Sequence, residues 1–275
     1  MGQKLQNRVA IITGSTRGIG KAIARAYLDE GASVVITSSR QENVDAAVAD
    51  LGSRNVHGMV CDVTDYASVE WLVRAAVDRF GSLDIFINNA GISDPFYSVT
   101  DSDPVEWGRV IDTNLKGTYH GSRAAMSWFL EHNPRGKIIN MAGSGTDKGS
   151  NTPFISAYGS TKAAIARFTY AMAAEYRQTP TSIMLLHPGL VRTEIISTEK
   201  PTPEMQRQQN TFATIVDIFA QPPSVAARLA VRMGSAWSDG KTGIYLSALN
   251  GWRKKMLLFS YPLRKLFNAI DRTNY

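Results

Sequence analysis

The feature that most restricts how this chain can fold is an alternation. Short β-branched runs recur, each followed by a stretch in which apolar residues take helical spacing. That alternation marks βαβ units and a parallel sheet. The first run is Arg8–Thr13, and behind it Ile19, Ala22, Ile23, Ala26 and Tyr27 recur at i, i+3, i+4, i+7 and i+8, one face of a helix. Further strands are expected at Val34–Thr37, Val56–Cys61, Leu83–Asn88, Lys137–Met141, Ser182–His187 and Gly243–Ser247. Helices are expected through Val44–Leu51, along Val69, Leu72, Val73, Ala76, Val77 and Phe80, and over a long stretch from Val105 to Leu130. Right-handed crossovers between parallel strands then give an α/β fold, a doubly wound sheet of about seven strands with helices on both faces. Ligands of such sheets bind beyond the carboxyl ends of the strands, so the residues that follow each run are the ones to inspect.

Composition narrows the class. At 275 residues the chain suits one large domain, expected over residues 1–251, with an insertion after the sixth strand at about 195–220 and a tail at 252–275. Its 44% apolar and 20% charged residues exclude a disordered or fibrous class. The single cysteine, Cys61, excludes an internal disulfide framework and suits a reducing compartment; within the apolar run Val56–Val63 it reads as a small buried hydrophobe. The run Val9–Ile12 is too short for a secretory signal, and Gln6 stands where myristoylation needs Ser or Thr. With no run long enough to span a bilayer, a cytoplasmic location is the expectation. The net charge is +6, but residues 252–275 hold six bases against Asp271 alone, a net of +5. The body is nearly neutral, so the high isoelectric point is no argument for nucleic-acid binding.

Three stretches at the strand ends carry chemistry. Behind the first strand, Gly14-Ser15-Thr16-Arg17-Gly18-Ile19-Gly20 leads into a helix. Glycines permit a tight turn and close backbone approach, and a helix N-terminus offers N–H groups and positive potential to a pyrophosphate. The end of the second strand, Thr37-Ser38-Ser39-Arg40, lacks the carboxylate that would bind an adenosine ribose 2′-hydroxyl and repel a 2′-phosphate. Arg40, joined by Arg17, can pair with a phosphate there, although a solvated loop charge also explains Arg40. Beyond the fifth strand, Tyr158 and Lys162 are four residues apart on one helix face that Ile165 continues. A buried lysine is costly unless something uses its charge, and a nearby cation favours phenolate, lowering a tyrosine pKa from about 10. By itself this spacing reads more readily as an exposed lysine beside a core tyrosine, and it needs support from the rest of the chain.

Taken in order, these motifs resemble those of the classical short-chain dehydrogenases/reductases, over about Arg8 to Thr193 and again at Gly243–Ser247. The resemblance implies a Rossmann-like fold, a nicotinamide dinucleotide, and hydride transfer between a carbonyl and a secondary alcohol. It implies that Asp62 and Val63 face the adenine, and that Asn88, Asn89, Ala90 and Gly91 support the sheet and border the cofactor. It implies that Pro188, Gly189, Val191 and Thr193 contact the nicotinamide end. Tyr158 is then the general acid/base, and Lys162 the ribose ligand that lowers its pKa. Asn114 holds a water of the proton relay, and a serine donates to the substrate oxygen. With Arg17 and Arg40 at the ribose end, NADP(H) is expected over NAD(H). The resemblance also implies a homodimer or homotetramer.

At the serine the sequence departs from the family. Asn140-Met141-Ala142-Gly143-Ser144-Gly145 stands where the family has Asn-x-Ser-Ser, so Ala142 and Gly143 occupy the expected positions. Ser144, one residue on, is the candidate if its flanking glycines let the loop bulge; Ser150 and Ser156 lie further along. His57, His120, His132 and His187 show no metal-ligand spacing, and no metal is expected. In the insertion, Met205, Phe212, Ile215, Ile218 and Phe219 suggest an apolar pocket wall, which ordinary packing explains equally. The tail interleaves apolar residues with bases; it fits peripheral contact with anionic lipid, or packing on a neighbouring subunit or on the lid. The expected function is an NADP(H)-dependent oxidoreductase acting on a small to medium apolar carbonyl or alcohol. The alternative is a nucleotide-binding sensor or scaffold on the same fold.

Overall fold

In a computed structural model, which describes residues 3–93, 96–146, 152–191, 202–267 and 270, each β-branched run becomes a strand. β1 (Val9–Ile12), β2 (Ser33–Ser38), β3 (Val56–Val60), β4 (Ile85–Asn88), β5 (Lys137–Met141), β6 (Ser182–His187) and β7 (Ile244–Ser247) form one parallel sheet, in the order β3-β2-β1-β4-β5-β6-β7. Successive side chains of a strand point to opposite faces. Ile11, Val35, Phe86, Ile138 and Ile183 accordingly pack with α3 (Tyr66–Phe80) and α5 (Gly117–His132). Their neighbours Ile12, Ile36, Ile87, Ile139 and Met184 pack on the other side, with α1 (Gly18–Asp29), α2 (Gln41–Leu51) and α8 (Ser224–Gly234). Both faces are covered, which is why the strands read as continuous apolar runs. The strand order reverses between β1 and β4, and the crevice outside that reversal is where sheets of this kind bind ligands.

The long helix expected over Val105–Leu130 is broken in the structure. It consists of α4 (Pro104–Ile111), a π-helical turn at Asp112–Lys116, and α5. The cause is how closely α5 approaches the sheet. A Cβ on Gly117 would lie 2.7 Å from Val63 Cγ2, and one on Gly121 would overlap the side-chain oxygen of Asn88. The wider π turn lets the helix start again in that position and turns Asn114 fully inward.

α6 (Ser156–Glu175) follows β5, and α7 (Pro203–Phe219) is the described part of the insertion expected at 195–220. α8, which the sequence pattern does not single out, makes the crossover into β7 and packs on α1, Tyr27 Oη donating to Ala230 O at 2.8 Å. The tail forms α9 (Gly251–Leu266), in contact with α7. Among the described residues no helix is long and apolar enough to cross a membrane.

Candidate active site

The turn between β1 and α1 is built to let backbone come close. Gly14 and Gly18 have φ of 59° and 57°, the left-handed region that favours glycine. A Cβ on Gly20 would lie 2.5 Å from Asn89 Nδ2 and 2.7 Å from Gly14 O, so the first turn of α1 sits hard against the loop after β4. Asn89 fastens the two: its Nδ2 donates to Thr13 O and Gly14 O, both at 2.9 Å. Thr13 Oγ1 in turn accepts from the N–H groups of Asn89 (3.1 Å) and Ala90 (3.0 Å). Ser15 is fully buried; its hydroxyl donates to Ile12 O and accepts from Thr37 N at 3.1 Å, so that side chain is spent on holding the turn to β2. α1 starts with no side-chain cap and no acid in its first turn, which suits an anion at its positive end. Thr16 and Ile19 are partly exposed and Arg17 exposed around this opening.

β2 lies next to β1, so the loop carrying Arg40 runs beside the glycine turn. Ser39 and Arg40 are exposed there, and Ser38 Oγ accepts from Arg40 N at 3.3 Å. After β3, Asp62 is exposed and its Oδ1 accepts from Thr64 N (2.9 Å) and Thr64 Oγ1 (2.8 Å), while Val63 is buried.

Under the loops runs a buried polar ladder. Asn88 Nδ2 donates to Asn140 Oδ1 (2.8 Å) and to Ser122 Oγ (3.0 Å). Asn140 Nδ2 donates to Thr169 Oγ1 (3.0 Å), whose hydroxyl donates on to Ile165 O (2.7 Å). The ladder ties β4, α5, β5 and α6 together, and the Asn88 side chain belongs to that frame. Nothing local in the sequence marks Ser122 or Thr169 as part of it; the amides Asn88 and Asn140 at matching ends of two adjacent strands are the signal that could have found the ladder.

The π turn delivers Asn114 to the same end of the sheet. Asn114 Nδ2 donates to Ile92 O (2.9 Å) and Thr161 Oγ1 (3.1 Å), and Oδ1 accepts from Ile92 N (2.8 Å). Thr161 Oγ1 in turn donates to Tyr158 O (2.7 Å). Both amide hydrogens of Asn114 are therefore used to lock the Gly91–Ile92 backbone to α6, immediately below Tyr158. The main-chain oxygen of Asn114 accepts from Thr118 Oγ1 at 2.7 Å.

Tyr158 and Lys162 share one face of α6, as their spacing predicts. Lys162 is 5% exposed, its Nζ donates to Met141 O at 3.1 Å, and it stands 5.5 Å from the centroid of the Tyr158 ring. Loss of water holds the lysine down at about 8 and pushes the tyrosine up to about 12. For the tyrosine this is opposite to the expected direction. The ammonium lies over the ring and turns to a carbonyl, and desolvation of the phenol outweighs its attraction. The protein thus holds Tyr158 as a neutral phenol, the form that can give a proton.

The loop after β5 is a tight turn. Gly143 N donates to Thr146 Oγ1 (3.0 Å), and Thr146 N donates to Gly143 O (3.1 Å). A Cβ on Gly143 would lie 2.5 Å from Tyr158 Oη and 3.0 Å from Lys162 Cγ, so the position where a serine is expected stands directly against the phenol and has room for glycine. Ser144 Oγ pairs with Thr152 Oγ1 at 3.0 Å, and Ser156 Oγ accepts from Trp107 Nε1 at 3.1 Å. Ser150 lies outside the described residues. Thr146 and Thr152, which the sequence reading passed over, are the hydroxyl groups that shape this loop.

Past β6, Gly189 N donates to His187 Nδ1 (3.1 Å), and Leu190 pairs with Ala220, so the Pro188–Val191 segment is pinned to the end of α7. Thr193 lies outside the described residues. An open cavity of about 500 Å³ lies between Ser98 and Asp101, Phe154, and the start of α7 at Thr202, Met205 and Arg207. Of the expected apolar wall, Met205 lines this cavity, Phe212 meets Phe96 at 5.7 Å between ring centroids, and Ile215 faces solvent.

Glycine turn, uncapped α1, the loops after β4 and β6, and the Tyr158–Lys162 face all open at the carboxyl edge of one parallel sheet. The residues present fit a dinucleotide: a glycine turn whose backbone is free of side chains at Gly14 and Gly18, an uncapped helix start that suits a pyrophosphate, and a buried ammonium near the site. Fold and site together define an α/β protein with a crevice suited to a dinucleotide at the carboxyl edge of its parallel sheet. The profile of the short chain dehydrogenases matches residues 8–204. The chain is 33% identical, over 288 aligned positions, to a probable chloroplastic chlorophyll(ide) b reductase of Arabidopsis thaliana, covering 95% of this chain and 56% of that protein. It is 34% identical over 224 positions to an uncharacterised oxidoreductase of Staphylococcus aureus, covering 80% of this chain and 94% of that one. A solved short chain dehydrogenase from Mycobacterium smegmatis superposes with a TM-score of 0.74 at 27% identity, over 90% of this chain and 94% of that one. The chain belongs to the short-chain dehydrogenase family, whose members are oxidoreductases that use NAD(P)(H). It spans between half and two-thirds of the length of the plant relatives it matches.

Proposed function

We propose that this protein is an NADP(H)-dependent carbonyl reductase in which Tyr158 is the general acid. The observation that supports this most directly is the Tyr158–Lys162 pair, a buried ammonium 5.5 Å from the ring of a phenol held neutral. The nicotinamide cofactor, when bound, supplies the hydride to the carbonyl carbon. Tyr158 gives its proton to the carbonyl oxygen as the alcohol forms, and serves as base in the reverse direction. Lys162 holds positive charge close to the developing tyrosinate and reaches the ribose. Asn114 positions α6 through Thr161, and Ser144 is the candidate donor to the substrate oxygen. Gly14, Ser15, Thr16, Arg17, Gly18, Ile19 and Gly20 carry the pyrophosphate by their backbone. Asp62 and Val63 flank the adenine; Asn89, Ala90, Gly91, Pro188, Gly189, Val191 and Thr193 border the rest.

The NADP(H) preference rests on charge. Thr37–Arg40 offers no carboxylate to a ribose hydroxyl, whereas Arg17 and Arg40, exposed on neighbouring loops, are charges that would favour a 2′-phosphate. The substrate is an apolar carbonyl compound of small to medium size. Because several relatives are named chlorophyll(ide) b reductases, a formyl-bearing chlorin belongs beside simple aldehydes and ketones in the test panel.

The experiment is a carbonyl panel followed by NADPH absorbance, repeated with NADH and with Tyr158→Phe and Arg40→Glu. Tyr158→Phe is expected to lower kcat by about a hundredfold or more, and Arg40→Glu to raise the KM for NADPH about tenfold while leaving NADH unaffected. Unchanged turnover in Tyr158→Phe sinks the mechanism, and a preference for NADH sinks the cofactor assignment. A second reading, a nucleotide sensor without turnover, is favoured by one observation, the glycine at 143 where the family carries serine. Tight NADPH binding with no turnover across the panel would establish it.

A further inference from the structure

α9 presents to solvent the face that a helix of a globular protein normally buries. Its partly buried positions are Arg253, Leu257, Ser260, Tyr261 and Arg264, so it rests on the body by a largely polar side. Arg264 makes the attachment: Nη2 donates to Ile218 O at the end of α7 (2.7 Å), and its bond to Leu257 O within α9 (2.9 Å) holds the guanidinium in that position. On the outer side Trp252, Met256, Phe259, Leu263 and Leu266 follow one another at i, i+4, i+7, i+11 and i+14, a single stripe along the helix. Trp252 is 80% exposed, Phe259 78% and Leu266 76%, and no residue of α9 is buried. The same helix carries Arg253, Lys254, Lys255, Arg264 and Lys265, and neither Asp nor Glu.

Charge selects what covers this stripe. A second copy docking by the same face would bring two such helices together, doubling the five bases with no carboxylate on either to answer them. An anionic bilayer offers hydrocarbon to the stripe and negative charge to its basic flanks, and tryptophan is favoured at that depth. We propose that α9 lies in the headgroup plane of an anionic membrane and, through Arg264 and Ile218, holds the α7 side of the molecule against that surface. The contact is peripheral, and it does not depend on the reaction assigned to Tyr158.

Co-sedimentation of the full chain with vesicles of phosphatidylcholine mixed with phosphatidylglycerol, set against phosphatidylcholine alone, tests this. Binding to the mixed vesicles is expected, at least about tenfold tighter than to neutral ones. The pair Phe259→Ser and Leu263→Ser should abolish it. Lys254→Gln with Lys255→Gln should weaken it by an order of magnitude or more, since each base near the surface contributes roughly fivefold. All four positions are exposed, so the thermal transition should stay in place and show that the variants fold. Failure of the unaltered chain to bind mixed vesicles overturns the proposal, as does equal binding by the Phe259/Leu263 variant. A dimer in solution that Phe259→Ser splits, without vesicle binding, replaces the membrane by a second copy.

Discussion

Gly143 decides how the phenol is reached. Because an added Cβ there would lie 2.5 Å from Tyr158 Oη, Gly143→Ala must displace the phenol from its place or push the loop away from it. The expected result is a loss of about 1–3 kcal/mol from overpacking together with at least a tenfold fall in kcat, checked by melting and by turnover. Lys162 makes a different prediction. Its folded pKa, about 8, lies below the ordinary value of 10.5. Between those two values the unfolded chain binds more protons, so stability rises as pH climbs through that window, and at neutral pH the buried charge costs about 3 kcal/mol. Lys162→Met should therefore raise Tm at pH 7 by several degrees, flatten that rise with pH, and abolish turnover. In the unaltered protein kcat/KM for reduction should fall as pH passes about 8 and the ammonium is lost. A residue-by-residue reading of the sequence finds Tyr158 and Lys162 because four-residue spacing is a local property. It does not find the Ser144–Thr152 pair, or the upward shift of the tyrosine, because both depend on how a loop closes.

At the scale of elements, the break between α4 and α5 is the clearest departure from periodicity. The apolar spacing from Val105 to Leu130 reads as one helix, and nothing local says otherwise. The π turn answers to Val63 and Asn88, which lie well before it in the chain and meet it only after the sheet has formed. The strands were legible for the opposite reason: a sheet covered on both faces demands runs of β-branched residues, and β5 and β6 begin and end where those runs do. α8 was not singled out, and its small apolar face, Ala226, Ala227 and Ala230, gains meaning only against α1. The π turn supports a prediction. Asn114→Ala leaves the backbone of Ile92 and the hydroxyl of Thr161 without their buried partner, which should cost about 2–4 kcal/mol. At roughly 2–4 °C per kcal/mol for a chain of this size, the melting temperature drops by several degrees. Saturating NADPH should not restore kcat, as steady-state kinetics will show.

Across the whole molecule, the dinucleotide should act as a stabiliser. At a hundred times its Kd a ligand specific for the folded state adds about 2.7 kcal/mol, so NADPH should raise Tm by several degrees and NADH by less at equal concentration. Scanning fluorimetry reads this directly, and an equal rise with both would contradict the role given to Arg17 and Arg40. The strand order also has a consequence in time. Thr13 and Asn89, which clamp the glycine turn, are 76 residues apart, and Asn88 meets Asn140 across another 52. During synthesis β1, paired with β2 on one side, keeps its other edge open until β4, the central strand, arrives beside it, and β5 must then arrive beside β4. A ribosome-bound chain can coil its first two helices early, yet it has nowhere to put a nucleotide until most of the protein has emerged. Nucleotide capture therefore marks the end of folding and cannot guide its beginning.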